Sequence, residues 1–381
     1  MIAAGPSANP AGDARAEPLV RVVGAVKRFP VASGGLLRRK REQVHAVEHV
    51  DLDIARGETL GLVGETGCGK STLARCITRL HDLTEGSVCF DGQDITNLSR
   101  RQLRPYRRRM QMVFQDPYGS LNPRRRVGSI IGDPFSIHDV AEGEERKRLV
   151  QAQMELVGLN PEHYNRFPAE FSGGQRQRIG VARALALQPD LVVCDEPVSA
   201  LDVSIQAQVI NLLVDLQRQL DLTYLFIAHD LSVVRHVSDR VAVMYLGRVV
   251  ELAGRDAIYA TPRHPYTAAL LSAVPVADPD LASSRKRVVL AGDVPSPINP
   301  PPGCAFHPRC PRATDICREV RPSLEATHGD PPSHLAACHH PLRAGETLVG
   351  ARQEHVAGGE RLPASPLTGA KPDPRPRSRL R

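Results

Sequence analysis

The stretch that most constrains this chain is "GETGCGKS" at 64–71. It fits G-x-x-x-x-G-K-[ST], and its setting matters as much as its letters. Before it, "TLGLV" at 59–63 is apolar throughout, as a strand buried on both faces of a sheet must be. After it, "STLARCITRL" reads as a helix. Gly64, Gly67 and Gly69 let the backbone turn tightly and aim several N–H groups at phosphate oxygens. The helix starting near Lys70 adds its positive end. In such a loop Lys70 reaches the β- and γ-phosphates and Ser71 ligates Mg²⁺, with Thr72 beside it in the first turn. Cys68 reads as a small loop residue, open to oxidation but with no part in the cradle.

Further buried strands are expected at "LVVCDEP" (191–197) and "TYLFIAHD" (223–230), and a half-buried one at "VDLDI" (50–54). Between 191–197 and 223–230, Ile205, Val209, Leu212, Leu213, Leu216 and Leu220 recur at helical spacing. Buried strands separated by helices predict an α/β fold with a mostly parallel sheet. Asp195 and Glu196 close the strand at 191–196. Asp195 is placed to hold Mg²⁺ through the metal's water shell, and Glu196 to orient and polarise an attacking water. Cys194, Cys76 and Cys89 read as core.

"FSGGQRQR" at 171–178 offers a second anion-binding helix start, at Ser172, Gly173, Gly174 and Gln175, with no strand before it. One chain cannot easily fold both anion sites onto one phosphate. A head-to-tail dimer, each subunit covering its partner's nucleotide, solves this economically.

The motif order resembles the ATP-binding subunits of ABC transporters over about 20–262. "FSGGQ" stands where that family usually has LSGGQ. Gln115 in "MVFQDP" looks like the Q-loop glutamine, "SALD" with Asp202 the D-loop, and His229 in "IAHD" the switch histidine. Phe29 sits where an aromatic stacks on adenine, with a core phenylalanine as the alternative. The resemblance implies a P-loop NTPase core with an antiparallel β subdomain, a helical signature subdomain and a small C-terminal extension. It also implies ATP and Mg²⁺ held by Lys70, Ser71, Asp195 and Gln115. Ser172 and Gly174 of the opposing subunit close over the γ-phosphate, Glu196 acts on water, and His229 holds the γ-phosphate and water in line.

"HPYT" (264–267), "SAVPVADP" (272–279), "PSPINPP" (295–301), "FQDPYGSLNPR" and "CDEPVSALD" narrow the resemblance to dipeptide/oligopeptide permease ATPases, of the type with Cys in the P-loop. The implied partners are a second, non-identical ATP-binding subunit, two transmembrane permease subunits and an extracytoplasmic solute-binding protein. Importers of nickel, glutathione or other small solutes share this plan. An exporter, or a soluble ABC ATPase acting on DNA or ribosomes, is the alternative of another class. The soluble type usually carries two ATPase cores or a long coiled coil, and neither is found here.

Composition supports this placement. No apolar run approaches the ~20 residues that span a bilayer, and the N-terminus lacks a signal-peptide pattern. The expected location is the cytoplasmic face of the cell membrane, held peripherally. Net charge is +7, partly from "RRQLRPYRRR" at 100–109 and "RRR" at 124–126, read as solvated faces or a partner-facing patch. Aromatics are few, 4% with no Trp, and none is interleaved as a stacking platform, so nucleic acid is not an expected partner. The expected domains are a lead at 1–17, the ATP-binding domain at 18–262, the extension at 263–345 and a tail at 346–381.

Cys304, Cys310, Cys317 and Cys338 cluster in the Pro-rich extension with spacing C-x5-C-x6-C-x20-C. A cytoplasmic setting disfavours disulfides. Paired C-x2–4-C zinc spacing is absent. Irregularly spaced thiolates suit an iron–sulfur cluster better, and the resembled permease family implies [4Fe–4S]. Zinc, with His307, His334 or His339 substituting, and unliganded thiols stay open.

Overall fold

The computed structural model describes residues 17–33, 40–116, 119–274, 292–327 and 329–346, together with 288, 290 and 348. Most of the expected lead and tail lies outside these. So do parts of the segments quoted at 272–279 and around 117–118.

The strands are β1 (Val20–Ser33), β2 (Lys40–Ile54), β3 (Thr59–Val63), β4 (Glu85–Phe90), β5 (Gln93–Asp94), β6 (Met110–Val113), β7 (Leu191–Asp195), β8 (Thr223–Ile227), β9 (Arg240–Tyr245), β10 (Arg248–Gly254), β11 (Glu325–Ala326) and β12 (Leu335–Ala336). The α-helices are α1 (Lys70–Ile77), α2 (Arg100–Arg109), α3 (Val127–Ile137), α4 (Gly143–Leu156), α5 (Gly173–Leu185), α6 (Val203–Leu220), α7 (Leu231–Val237), α8 (Arg255–Ala260), α9 (Pro265–Ser272) and α10 (Asp315–Glu319).

One sheet has eight strands in the order β11-β12-β10-β9-β3-β8-β7-β6. From β9 to β6 all neighbours run parallel. Strands β3, β7 and β8 are buried at every residue, which explains their unbroken apolar sequence. A second sheet, β2-β1-β4-β5, is antiparallel. It packs with α1 in one core that includes Val22, Leu52, Leu73 and Phe90. The other core takes in α3, α4, α5 and α6. The α/β class, the antiparallel sheet and a helical unit carrying the 172–175 turn are therefore all present.

Two details differ from the sequence reading. Strand β2 starts far before Val50, because residues 40–49 pair with β1 without a clean apolar alternation. In α6, Leu220 lies at the exposed C-terminal end, 39% accessible, while Val209, Ile210, Leu213 and Leu216 form the buried stripe.

The extension is sewn onto the main sheet. Strand β12 pairs with β10 (Glu251 with Ala336), and Phe306 is buried in the core. Glu251, with no exposed surface, accepts from the backbone N–H groups of Arg263 (2.6 Å) and His264 (2.9 Å) and pairs with His334 at 2.8 Å. A buried carboxylate needs such partners to offset its desolvation.

Candidate active site

The phosphate-binding loop lies between β3, in the middle of the sheet, and α1. Two glycines are obligatory there. Gly64 has φ +152°, and a Cβ would stand 2.1 Å from the Met244 carbonyl oxygen. Gly69 caps α1 at φ +106°, and its Cβ would stand 2.0 Å from the Ala46 carbonyl oxygen. Backbone atoms cannot yield at those distances, so only glycine fits. Gly67, also at positive φ, faces open space. The β9–β10 turn anchors the loop from above, where Gly247 N–H donates to the Cys68 carbonyl at 2.8 Å.

Lys70 is buried, and its Nζ donates to the carbonyls of Gly64 (2.7 Å) and Glu65 (3.1 Å). Cys68 is buried as well, its Sγ 3.9 Å from Lys70 Nζ, and burial pushes its thiol pKa up. That corrects the reading of an oxidisable loop residue, because a buried protonated thiol is a poor nucleophile. Cys76 and Cys194 are core as expected; Cys89 is only half-buried on β4. Thr72 is half-buried in the first turn of α1.

Ser71 Oγ donates to Asp195 Oδ1 at 2.6 Å, joining the two halves of the site. Asp195 is buried, and desolvation raises its pKa against the pull of Ser71 and Arg75. Arg75, which the sequence reading missed, brings Nη2 to 3.9 Å from Asp195 Oδ2. Ser71 and Asp195 are hard oxygen donors that already converge, which suits Mg²⁺.

Glu196 holds an unusual left-handed backbone, φ 47°. Its N–H donates to the Ile227 carbonyl at 3.0 Å, which ties it to β8. Gln115 Nε2 donates to Glu196 Oε2 at 2.7 Å, and His229 Nδ1 stands 3.6 Å from the same oxygen. Three residues from three separate strand ends thus meet at one carboxylate oxygen.

Ser172 caps α5. Its Oγ accepts from Gln175 N–H at 3.3 Å, and Gln175 Oε1 accepts from Ser172 N–H at 3.0 Å. Ser172 and Gln175 are exposed, Gly173 half-buried and Gly174 buried. Gly174 lets α5 approach α6, since a Cβ there would lie 2.5 Å from Ile205 Cγ2. Asp202 caps α6 without a side-chain bond and is exposed, next to Val203, which is 82% accessible. Among the described residues, no hydrogen bond joins the 172–175 turn or Asp202 to the phosphate loop. Phe29 is half-buried, edge-on to His81 (5.6 Å) and beneath Lys27 Nζ (5.0 Å).

Tyr266 was also missed as a site residue. Its hydroxyl accepts from Glu65 N–H at 2.9 Å, inside the phosphate loop. The signal was present in "HPYT", which the sequence reading used only to narrow the resemblance.

In the extension Cys304, Cys310, Cys317 and Cys338 line a single pocket with His264, His307, His339 and His340. Burial raises the thiols of Cys304, Cys310 (to about 11) and Cys338 (to about 12). Among the described residues, no three His, Cys, Asp or Glu side chains are grouped to hold a metal ion. The void is about 10 Å³, the scale of one water, so a larger group would have to spread the thiols.

The comparisons agree with this geometry. Residues 47–199 match the ABC transporter model and 250–317 match "Oligopeptide/dipeptide transporter, C-terminal region". The oligopeptide transport ATP-binding protein AppF of Bacillus subtilis is 54% identical over 86% of this chain and 98% of that protein. The chain belongs to the oligopeptide/dipeptide family of ABC transporter ATP-binding subunits. The dipeptide transport ATP-binding protein DppF of Haemophilus influenzae is 50% identical over 85% of this chain and 97% of that protein. Among solved structures, the ATP-binding cassette MJ0796, dimeric and bound to ADP and Pi, superposes with TM-score 0.55. It is 28% identical and covers 62% of this chain and 98% of that one. Membership makes this ABC subunit an ATPase that works with membrane permease partners. No helix among the described residues is long and apolar enough to cross a membrane.

Proposed function

We propose that this subunit couples ATP binding and hydrolysis to the import of dipeptides or oligopeptides. It would act at the cytoplasmic face of the membrane with a non-identical ATPase homologue, two permease subunits and an extracytoplasmic solute-binding protein. The ATP-binding domain is taken as 18–262 and the extension as 263–345. The observation that carries the catalytic half is the meeting of Gln115 and His229 at Glu196 Oε2, beside the Ser71–Asp195 pair.

Lys70 and the loop N–H groups bind the phosphates, and Phe29 contacts the base. Ser71, Asp195 and Gln115 are the residues for Mg²⁺, which neutralises charge on the phosphates when bound. Glu196 orients and polarises the attacking water, and His229 holds the water and γ-phosphate in line. Ser172 and Gln175, which are exposed, serve the partner's nucleotide together with Gly173 and Gly174 of the same turn, with Asp202 at the interface. Catalysis then rests on position and charge stabilisation. The peptide cargo is supported by the C-terminal match and by the names of the relatives. Co-purification with two permease subunits, and peptide-stimulated ATP turnover of that complex in liposomes, tests the reading. Turnover that ignores peptides but responds to nickel or glutathione would transfer the cargo assignment.

The cysteine pocket is read as a [4Fe–4S] site, with Cys304, Cys310, Cys317 and Cys338 as its ligands. What supports this reading is that four soft thiols line one pocket at the irregular spacing seen in the sequence. Its role would be to hold the extension together, since metal binding contributes folding energy to small segments. Anaerobic purification should yield brown protein containing iron. Colourless, iron-free protein would rule the cluster out.

A further inference from the structure

The extension reaches the phosphate loop through one side chain. Arg309 ends the short 3₁₀ turn His307–Arg309, between Cys304 and Cys310. Its Nη1 donates to Glu65 Oε2 at 2.8 Å, with the arginine side chain only 9% exposed. Glu65 is the second residue of the loop. Its N–H donates to the Tyr266 hydroxyl (2.9 Å), and its carbonyl accepts from Lys70 Nζ (3.1 Å) and Cys68 N–H (3.2 Å). One loop residue is therefore gripped on its side chain, its N–H and its carbonyl. Two of those grips come from beyond the nucleotide-binding core.

The mount behind Arg309 is rigid. Phe306 is fully buried and meets Tyr245 (5.3 Å) and Tyr266 (5.4 Å), while the Tyr245 and Tyr266 rings pack tilted at 59° with centroids 4.7 Å apart. Tyr245 ends β9, the neighbour of β3, which feeds the loop. Its hydroxyl lies near enough to the Arg309 guanidinium to be influenced by it, though no well-formed hydrogen bond joins them. An ion pair on so fixed a mount constrains geometry more than a surface pair between two mobile chains.

We infer that Arg309 and Tyr266 are positioning residues for the phosphate-binding loop, and that the extension sets ATP affinity through the Arg309–Glu65 pair. The inference rests on the ATP-site reading above. Neither residue is placed to touch the nucleotide; both act through Glu65, whose carbonyl shares the Lys70 ammonium. Loss of the pair frees Glu65 and loosens the carbonyl against which Lys70 is held.

The test is Mg-ATP binding to the full-length chain by calorimetry, alongside thermal melting. Arg309→Met should weaken affinity about fivefold, the scale of a modest coupling between sites. Arg309→Lys should recover most of the loss, since an ammonium can keep one charged contact. Glu65→Gln should reproduce the loss from the loop side, and the double variant should be no worse than either single one. A purely structural role predicts lower melting temperatures with affinity unchanged in single and double variants; that result, an affinity loss that lysine does not rescue, or affinity losses that multiply in the double variant would each overturn the inference. Should Arg309→Met fail to fold, Glu65→Gln and Arg309→Lys decide it. A wild-type chain that does not bind Mg-ATP would sink the site reading itself. A wild-type chain that binds, with Glu65→Gln indistinguishable from it, would sink the clamp alone.

Discussion

Glu196→Gln separates binding from turnover in this ABC subunit. The substitution keeps the side chain's length and shape, so Gln115 can still donate to an oxygen at 196, as it does now at 2.7 Å. What disappears is the negative charge, proposed above to polarise water, that faces His229 at 3.6 Å. Of the groups assigned to phosphate and metal, Gln115 touches Glu196, and its hydrogen bond is kept by the glutamine oxygen. Lys70 is held by Gly64 and Glu65, and Ser71 by Asp195, none through Glu196. ATP affinity should therefore stay within about twofold, while turnover falls about 10²–10³-fold, a loss of roughly 3–4 kcal/mol in transition-state stabilisation. Steady-state phosphate release and calorimetric Mg-ATP binding measure the two quantities on the same preparation. Turnover within tenfold of wild type would refute the assignment of Glu196. A large loss of affinity would show that its charge also serves the ground state.

Three other outcomes follow from the packing. Gly64→Ala should abolish ATP binding and destabilise the fold by several kcal/mol, because its Cβ meets the Met244 carbonyl oxygen at 2.1 Å on a left-handed backbone; denaturant melts read the stability loss. Gly174→Ala should cost about 1–3 kcal/mol through the Ile205 Cγ2 clash at 2.5 Å; adding Ile205→Leu, which removes that methyl, should restore much of it. Burial pushes His264 down to about 4. The unfolded chain then takes up that proton first, so stability is full above about pH 6.5 and declines as pH falls toward 4. About 2 kcal/mol should be lost at pH 5 by urea titration, and His264→Asn, which keeps a cap for Tyr266 N–H, should flatten the decline.

The phosphate loop, the Asp195–Glu196 pair and the 172–175 turn were legible because each is a local pattern. A loop that wraps phosphate needs glycines at positive φ, a strand buried on both faces must be apolar, and a capped helix start needs Ser and Gln three apart. Gln115 and His229 came only with the family resemblance. Nothing in their own neighbourhoods says that they meet at one oxygen of Glu196, which is decided by the order of β6, β7 and β8 in the sheet.

Burial was harder to read for isolated residues. Cys68 proved buried, because Gly64 leaves space that its sulfur occupies, and Leu220 proved exposed, at the last position of α6. The cysteine spacing announced a cluster of thiols, but their convergence on one pocket depends on 304, 310, 317 and 338 being folded together. The sequence by itself determined which segments can form a phosphate cradle, since that geometry comes from neighbouring backbone groups. Only the tertiary structure decided that the extension holds the phosphate loop. Glu65 and Arg309 are 244 residues apart, and no periodicity or spacing encodes a pairing across that distance.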